Sequence, residues 1–239
     1  MGQLLSVPGL KIGRLRARYK RFFADIDAGA LDTAETITAH CPNGGKILGL
    51  LDAGTLALYA DVDSPTAKLR FRLEALQQGD TWAGVNTQRP NKLIPLAIAA
   101  GLIPELSGYA TIRPEVKYGV NSRIDLFASG HADHADTYIE IKNCHFSRRP
   151  GLAEFPDCGA ARSTKHMYEL IEMVKAGFRA VVVICVQRND VDRFDAARDC
   201  DPNFGRAYDA ARAAGVEIIA VSFEISQDGW RFHKALEIV

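Results

Sequence analysis

Apolar residues recur with two spacings along this chain, and the change from one to the other divides it. From Lys11 to about Val85 they alternate in short runs bounded by turn residues, which predicts strands over 12–26, 34–40, 55–62, 68–75 and 81–85. Turns at Asp27-Ala28-Gly29, Pro42-Asn43-Gly44-Gly45, Asp63-Ser64-Pro65 and Gln78-Gly79-Asp80 separate these runs. Five short strands of this kind suggest a small closed barrel of the oligonucleotide/oligosaccharide-binding (OB) type within residues 1–88. Beyond Pro90 the spacing lengthens. Leu93 to Ala100 is a helical stretch with Pro95 near its start and Gly101 as its stop. Strands near 116–118, 123–127 and 137–142 come next, then a helix from about Gly159 to Ala176 that Gly177 ends. Ala180 to Val186 is a continuous, largely β-branched apolar run, as expected of a strand covered on both faces. Asp201 caps a helix with Pro202 in its first turn and Gly215 just past its end, and Val216 to Phe223 forms another buried strand. Residues 89–239 therefore read as an α/β layer, a mixed sheet with helices packed on it, in a chain that is α+β overall.

Composition adds little to this division. The 239 residues, 47% of them hydrophobic, suffice for a substantial core. No apolar run is long enough to span a bilayer, and the first residues lack the pattern of a leader, so the expectation is a cytoplasmic protein with no membrane partner. Five scattered cysteines without a Cys-x-x-Cys pair argue against a disulfide framework and against structural zinc.

Charge is more informative. The net charge of zero conceals an excess of three positive charges in residues 1–95 and of three negative charges in the remainder. Lys11, Arg14, Arg16, Arg18, Lys20 and Arg21 all precede the first acid, Asp25. On one strand Arg14, Arg16, Arg18 and Lys20 would share a face, a basic stripe able to track a phosphate backbone, with Tyr19, Phe22 or Trp82 available for base stacking and Phe22 assigned to the core. A solvated charged edge strand accounts for the same pattern.

Two short runs carry the candidate chemistry. In Tyr138-Ile139-Glu140-Ile141-Lys142 the isoleucines fall on one face of a strand and Glu140 and Lys142 on the other. If Ser122-Arg123-Ile124-Asp125-Leu126 pairs with it as a hairpin, Asp125 comes beside Glu140. Two neighbouring carboxylates repel, and a shared proton, a cation or a solvated separation relieves them. Mg²⁺ suits one or two carboxylates plus substrate phosphates, and a nearby lysine can steady an attacking water. His131-x-x-His134-x-Asp136 also has metal-compatible spacing, but lies between these strands as a loop without a complete ligand set.

Taken in order, Arg18-Tyr19-Lys20-Arg21-Phe22, His40-Cys41-Pro42-Asn43, Val85-Asn86-Thr87, Leu106-Ser107-Gly108-Tyr109, Glu115-Val116-Lys117-Tyr118-Gly119, Ser122-Arg123-Ile124-Asp125, Tyr138-Ile139-Glu140-Ile141-Lys142, Phe155-Pro156-Asp157, Lys165-His166 with Glu169, and Gly215-Val216-Glu217-Ile218 resemble the sugar fermentation stimulation protein family, SfsA. The resemblance spans nearly the whole chain. It implies an N-terminal OB-type barrel followed by a domain like the PD-(D/E)xK nucleases, DNA binding, and a metal-dependent nuclease centre; the expected partner is DNA, with single strands as one form of it, and the expected cation Mg²⁺ or Mn²⁺. In that scheme Asp125, Glu140 and Lys142 are catalytic. Glu115, Asp125, Glu140 and the carbonyl of Ile141 hold the metal, and Lys142 orients the attacking hydroxide. Arg14, Arg16, Arg18, Tyr19, Lys20, Arg21, Lys165 and His166 contact nucleic acid. A homodimer is compatible with this scheme. The chain departs from the family pattern at Gly44-Gly45, at Asn143-Cys144-His145-Phe146, and at Arg162-Ser163-Thr164 before Lys165. The alternative is a non-catalytic DNA-binding regulator of sugar-utilisation genes. A sugar-modifying enzyme finds no support in the residues.

Overall fold

The computed structural model describes residues 4–29, 35–62, 64–119, 121–156 and 161–239. Ala34, Asp63, Asp157, Cys158 and Gly159, which entered the expectations above, lie outside them. The strands in the first part are β1 (Leu5–Ser6), β2 (Lys11–Tyr19), β3 (Phe23–Ala28), β4 (Glu35–His40), β5 (Leu56–Asp61), β6 (Phe71–Gln78) and β7 (Thr81–Gly84). After α1 (Pro90–Ala99) come β8 (Thr111–Tyr118), β9 (Ser122–Ser129), β10 (Thr137–Cys144), β11 (Phe146–Arg149), β12 (Gly151–Phe155) and α2 (Ala161–Lys175). The chain finishes with β13 (Arg179–Val186), β14 (Val191–Ala196), α3 (Pro202–Ala213), β15 (Glu217–Ser226), β16 (Gly229–Ala235) and β17 (Glu237–Ile238).

The first part closes on itself. β2 pairs with β3 and β5, β3 with β4, and β5 with β6, while a parallel pairing of β4 with β6 seals the ring. This is a five-stranded OB-like barrel, filled by Leu15, Ile26, Ala39, Leu73, Leu76 and their neighbours. Two expectations are corrected here. The run over 12–26 is a hairpin rather than one strand, turning at Lys20 and Arg21, which adopt φ of 46° and 63°. The 81–85 segment, β7, extends the barrel sheet from β6 instead of completing the ring. β1 pairs with β16 in the second sheet.

That second sheet runs β1-β16-β15-β13-β10-β9-β8 and is mixed: β10, β13 and β15 are parallel, and the outer pairs antiparallel. Alternate residues of β13 divide between its two faces. Ala180, Val182, Ile184 and Val186 pack with Met167 and Leu170 of α2 and with Phe204 and Tyr208 of α3. Val181, Val183 and Cys185 pack with Leu93, Ile94 and Ala97 of α1 and with Leu58 and Ala75 of the barrel. The barrel thus rests against the α1 side of the sheet.

The helix ends follow the sequence signals. Asp201 accepts hydrogen bonds from the amides of Asn203 and Phe204 at the start of α3, and Gly101, Gly177 and Gly215 take positive φ beyond the ends of α1, α2 and α3. A small sheet, β11-β12-β14-β17, lies outside the expected set of strands. Among the described residues no helix is long and apolar enough to cross a membrane.

Candidate acidic cleft

The site forms where the ladder between β9 and β10 stops. Thr137, Tyr138 and Ile139 pair with Ala128, Phe127 and Leu126, and the next step would pair Glu140 with Asp125. Instead the Asp125 carboxylate takes the place of a strand partner: its Oδ2 accepts the Ile141 amide at 2.7 Å, and its Oδ1 accepts from Asn91 Nδ2 at 3.1 Å. β10 remains fully paired with β13 along its other edge, so the opening is confined to one side. On β8 the residue facing this break, Glu115, adopts φ of 56°, and its ladder with β9 skips from Pro114 to Val116. A non-glycine residue in that region carries about 1 kcal/mol of strain, placed here at the point where the sheet opens.

Because Ile139 and Ile141 face α1, Glu140 and Lys142 face α2. There Lys142 Nζ donates to Glu140 Oε1 at 2.7 Å, and His166 Nδ1 of α2 makes a short hydrogen bond to the same oxygen. All three side chains are buried. The second carboxylate oxygen, Glu140 Oε2, is buried with no hydrogen-bond partner. Such an acceptor costs free energy until a donor or a cation reaches it.

The two acids are displaced in opposite directions. Burial, reinforced by the charge of Glu140, pushes Asp125 up to about 6 against the opposing pull of the Ile141 amide, Lys142 and Asn91. Burial also acts to raise Glu140, but the Lys142 charge and the His166 hydrogen bond outweigh it and hold Glu140 below its ordinary value. Burial and the charges of Glu140, Glu169 and Asp125 push the Tyr118 phenol upward, so it stays protonated.

A cleft of about 610 Å³ opens over these groups, lined on the side of the second sheet and α2 by Asp125, Glu140, Lys142, Asn143, Arg162 and His166. Its other wall is the barrel loop Asn43–Gly45 with Thr87. That wall is fixed by Asn43 Nδ2 donating to the Val85 carbonyl and by Thr87 Oγ1 donating to the Pro42 carbonyl. A second cavity of about 440 Å³ shares Asn91, Asp125 and Ile141 with the first and adds Glu115, Pro95, Ile112 and Pro114.

Asp125, Glu140, Lys142 and Ile141 therefore meet in one cleft, and Glu115 joins Asp125 in the adjoining cavity. Among the described residues, however, no three His, Cys, Asp or Glu side chains are grouped so as to hold a metal ion. His166, expected to contact nucleic acid, lines the cleft as a buried partner of Glu140. Lys165 reaches Glu169 at 3.3 Å and Ser122 Oγ at 3.1 Å.

The basic stripe is not one continuous row either. A register shift lies between Leu15 and Ala17, and Lys20 and Arg21 belong to the hairpin turn. Arg14 donates to the Gly54 carbonyl, Arg16 pairs with Asp27, and Arg18 donates to the carbonyls of Arg21 and Asn43. Tyr19 donates to Asp25 and stacks on Phe23, whereas Phe22, expected in the core, is 47% exposed. Asn91 carried no chemical signal in the sequence, because it reaches Asp125 from the first turn of α1, 34 residues away.

Comparison with known proteins agrees with this architecture. The model of the "SfsA N-terminal OB domain" matches residues 17–85, and that of the "Sugar fermentation stimulation protein RE domain" matches residues 88–229. A sugar fermentation stimulation protein homolog of Caulobacter vibrioides is 49% identical over 224 residues, covering 94% of this chain and 92% of the relative. One of Methylobacterium nodulans is 45% identical over 231 residues, covering 95% of each. The solved structure of Pyrococcus furiosus SfsA in complex with Ca²⁺ superposes with a TM-score of 0.89 at 24% identity, over the full length of both chains.

Proposed function

The chain belongs to the sugar fermentation stimulation protein family, and on that premise we propose that it binds DNA and hydrolyses phosphodiester bonds with a divalent cation, Mg²⁺ or Mn²⁺. The observation that carries this reading is Glu140 Oε2, a buried carboxylate oxygen without a donor, in the same cleft as a second acid, a lysine and an arginine. The Ca²⁺ in the Pyrococcus furiosus relative supports a cation of this class. Asp125 and Glu140 would hold it, with the Ile141 carbonyl as a further oxygen donor and Glu115 adding its charge from the adjoining cavity. When bound, it supplies Lewis-acid chemistry, acidifying a water and stabilising charge on the phosphate.

The remaining roles belong to the chain itself. Lys142, held by Glu140, keeps its other ammonium hydrogens for the attacking water or a phosphate oxygen. His166 fixes the rotation of the Glu140 carboxylate, which leaves Oε2 as the available oxygen. Arg162 and Asn143 at the cleft wall provide donors for phosphate oxygens. Ionised Asp125 and Glu140 repel a phosphodiester, so the cation also permits substrate to approach.

The test is incubation of purified protein with end-labelled single- and double-stranded DNA, with and without Mg²⁺ or Mn²⁺, beside Glu140→Gln. Metal-dependent cleavage should appear in the parent and vanish in the variant while DNA binding persists. Binding without cleavage in the parent would overturn the nuclease assignment and favour a non-catalytic DNA-binding role.

A further inference from the structure

Away from the acids, the barrel carries an exposed aromatic pocket that the proposed hydrolysis does not use. Phe22 projects from the β2–β3 hairpin with 47% of its surface exposed, although an aromatic ring in the core would contribute burial free energy. Its hairpin is made by Lys20 and Arg21, two non-glycine residues in the left-handed region, each strained by about 1 kcal/mol where Gly or Asn would relax the turn. Phe22 is anchored from below, since its carbonyl accepts the Cys41 amide at 2.8 Å.

Together with Phe23, His40, Ala67, Lys68 and Leu69, Phe22 lines a pocket of about 280 Å³. The rings of Phe22 and His40 stand 6.4 Å apart and inclined by 35°. Burial and the charge of Arg72 lower the proton affinity of His40, which keeps its ring neutral. Lys68 lines the pocket, Lys20 and Arg21 are exposed in the turn that immediately precedes Phe22, and no ion pair among the described residues engages the three. An aromatic pocket with a lysine in its lining and further cations in the adjoining turn suits a flat aromatic group on an anionic chain.

The pocket also adjoins the acidic cleft. A Cβ added to Gly44 would stand 3.9 Å from Phe22 Cζ, and Gly44 itself lines the cleft. A polynucleotide whose phosphodiester lies at Asp125 and Glu140 can cross the Asn43–Gly45 loop and present a neighbouring base to Phe22. A base pair inside a duplex cannot do so, because both of its faces are covered by its neighbours in the stack.

We propose that the Phe22–His40 pocket is a stacking subsite for one unpaired nucleobase, which makes a nucleic acid with a single-stranded segment the substrate class of the cleft. The subsite rests on the nucleic-acid reading given above. It is tested by fluorescence anisotropy on the full chain carrying Glu140→Gln, with a labelled oligo-dT 12-mer and a blunt 12-base-pair duplex as probes. Phe22→Ala should weaken oligo-dT binding by on the order of tenfold. Duplex affinity and the salt dependence of both probes should stay unchanged, and Phe22→Trp should restore oligo-dT binding with quenching of the new indole. Because Phe22 is exposed, circular dichroism of both variants should match the parent. An oligo-dT affinity within twofold of the parent in Phe22→Ala, or an equal loss for both probes, overturns the subsite alone. Failure of the parent to bind either probe overturns the nucleic-acid reading, and the subsite with it.

Discussion

The rise of Asp125 to about 6 means that the cation-free cleft destabilises the fold at neutral pH, and this is measurable. An ordinary aspartate in the unfolded chain titrates near 3.8, so the folded protein holds the proton more tightly. Below that value both states are protonated and no cost arises. As pH rises from about 4 to about 6 the unfolded state ionises first and stability falls, and above about 6 the full cost is in place. A displacement of about two pK units is worth about 3 kcal/mol, and roughly half of that once solvent reaching the partly exposed carboxylate is allowed for. Asp125→Asn removes the charge, and its Oδ1 can still accept the Ile141 amide if the exposed Asn91 amide turns over to receive the new NH₂. With EDTA present, urea unfolding should find the variant gaining about 1–2 kcal/mol on the parent between pH 4 and pH 8. The comparison across pH cancels any fixed cost of the substitution. Adding Mn²⁺ at pH 8 should raise the melting temperature of the parent and leave the variant unmoved. A stability difference that stays constant between pH 4 and pH 8 would refute the reasoning.

Other expectations concern the seam between barrel and sheet. Glu74 is wholly buried and accepts from Arg72, Asn86 and Arg89, while Arg89 also lies over the Trp230 ring at 4.8 Å. Arg89→Met should therefore destabilise by about 3 kcal/mol in urea unfolding, with Glu74→Gln in the same background recovering part of the loss; a cost under about 1 kcal/mol would show the network to be dispensable. Gly84→Ala would set a Cβ 2.6 Å from Gln187 Cβ, and an overpacking cost of about 1–3 kcal/mol should appear as a lower melting temperature. Gln187 also reaches Asn143 in the cleft, so DNA affinity of Gly84→Ala should fall as well; unchanged stability and affinity would mean that the seam yields freely.

The sequence exposes those features whose determinants are local. α3 was legible at both ends because a capping Asp, a first-turn Pro and a terminal Gly each act within one turn of the chain. β13 was legible because both of its faces are covered, which leaves no polar alternation to obscure it. The β2–β3 hairpin was hidden for the opposite reason: Lys20 and Arg21 turn the chain without Gly, Asn or Pro, so no residue announced the reversal. The outer sheet was missed because β11, β12 and β14 are short and carry Arg148, Arg149, Glu154, Arg193 and Asp195 among their apolar positions.

At the site, Glu140 and Lys142 could be placed together from strand alternation alone, and Asp125 from the hairpin. What sequence could not supply is the interruption that makes them a cleft. An unbroken β9–β10 ladder would pair Glu140 directly with Asp125 and spend the Ile141 amide on a backbone carbonyl, closing the edge. The carboxylate of Asp125 substitutes for that carbonyl, so the same side chain ends the ladder and faces the opening. Opposite it Glu115 takes up the distortion in its own backbone, and Asn91 arrives from α1, 34 residues away, to hold the second oxygen. Each contribution depends on the others being in place, which is why the chemistry of the acids could be read from their spacing while the geometry that exposes them required the fold.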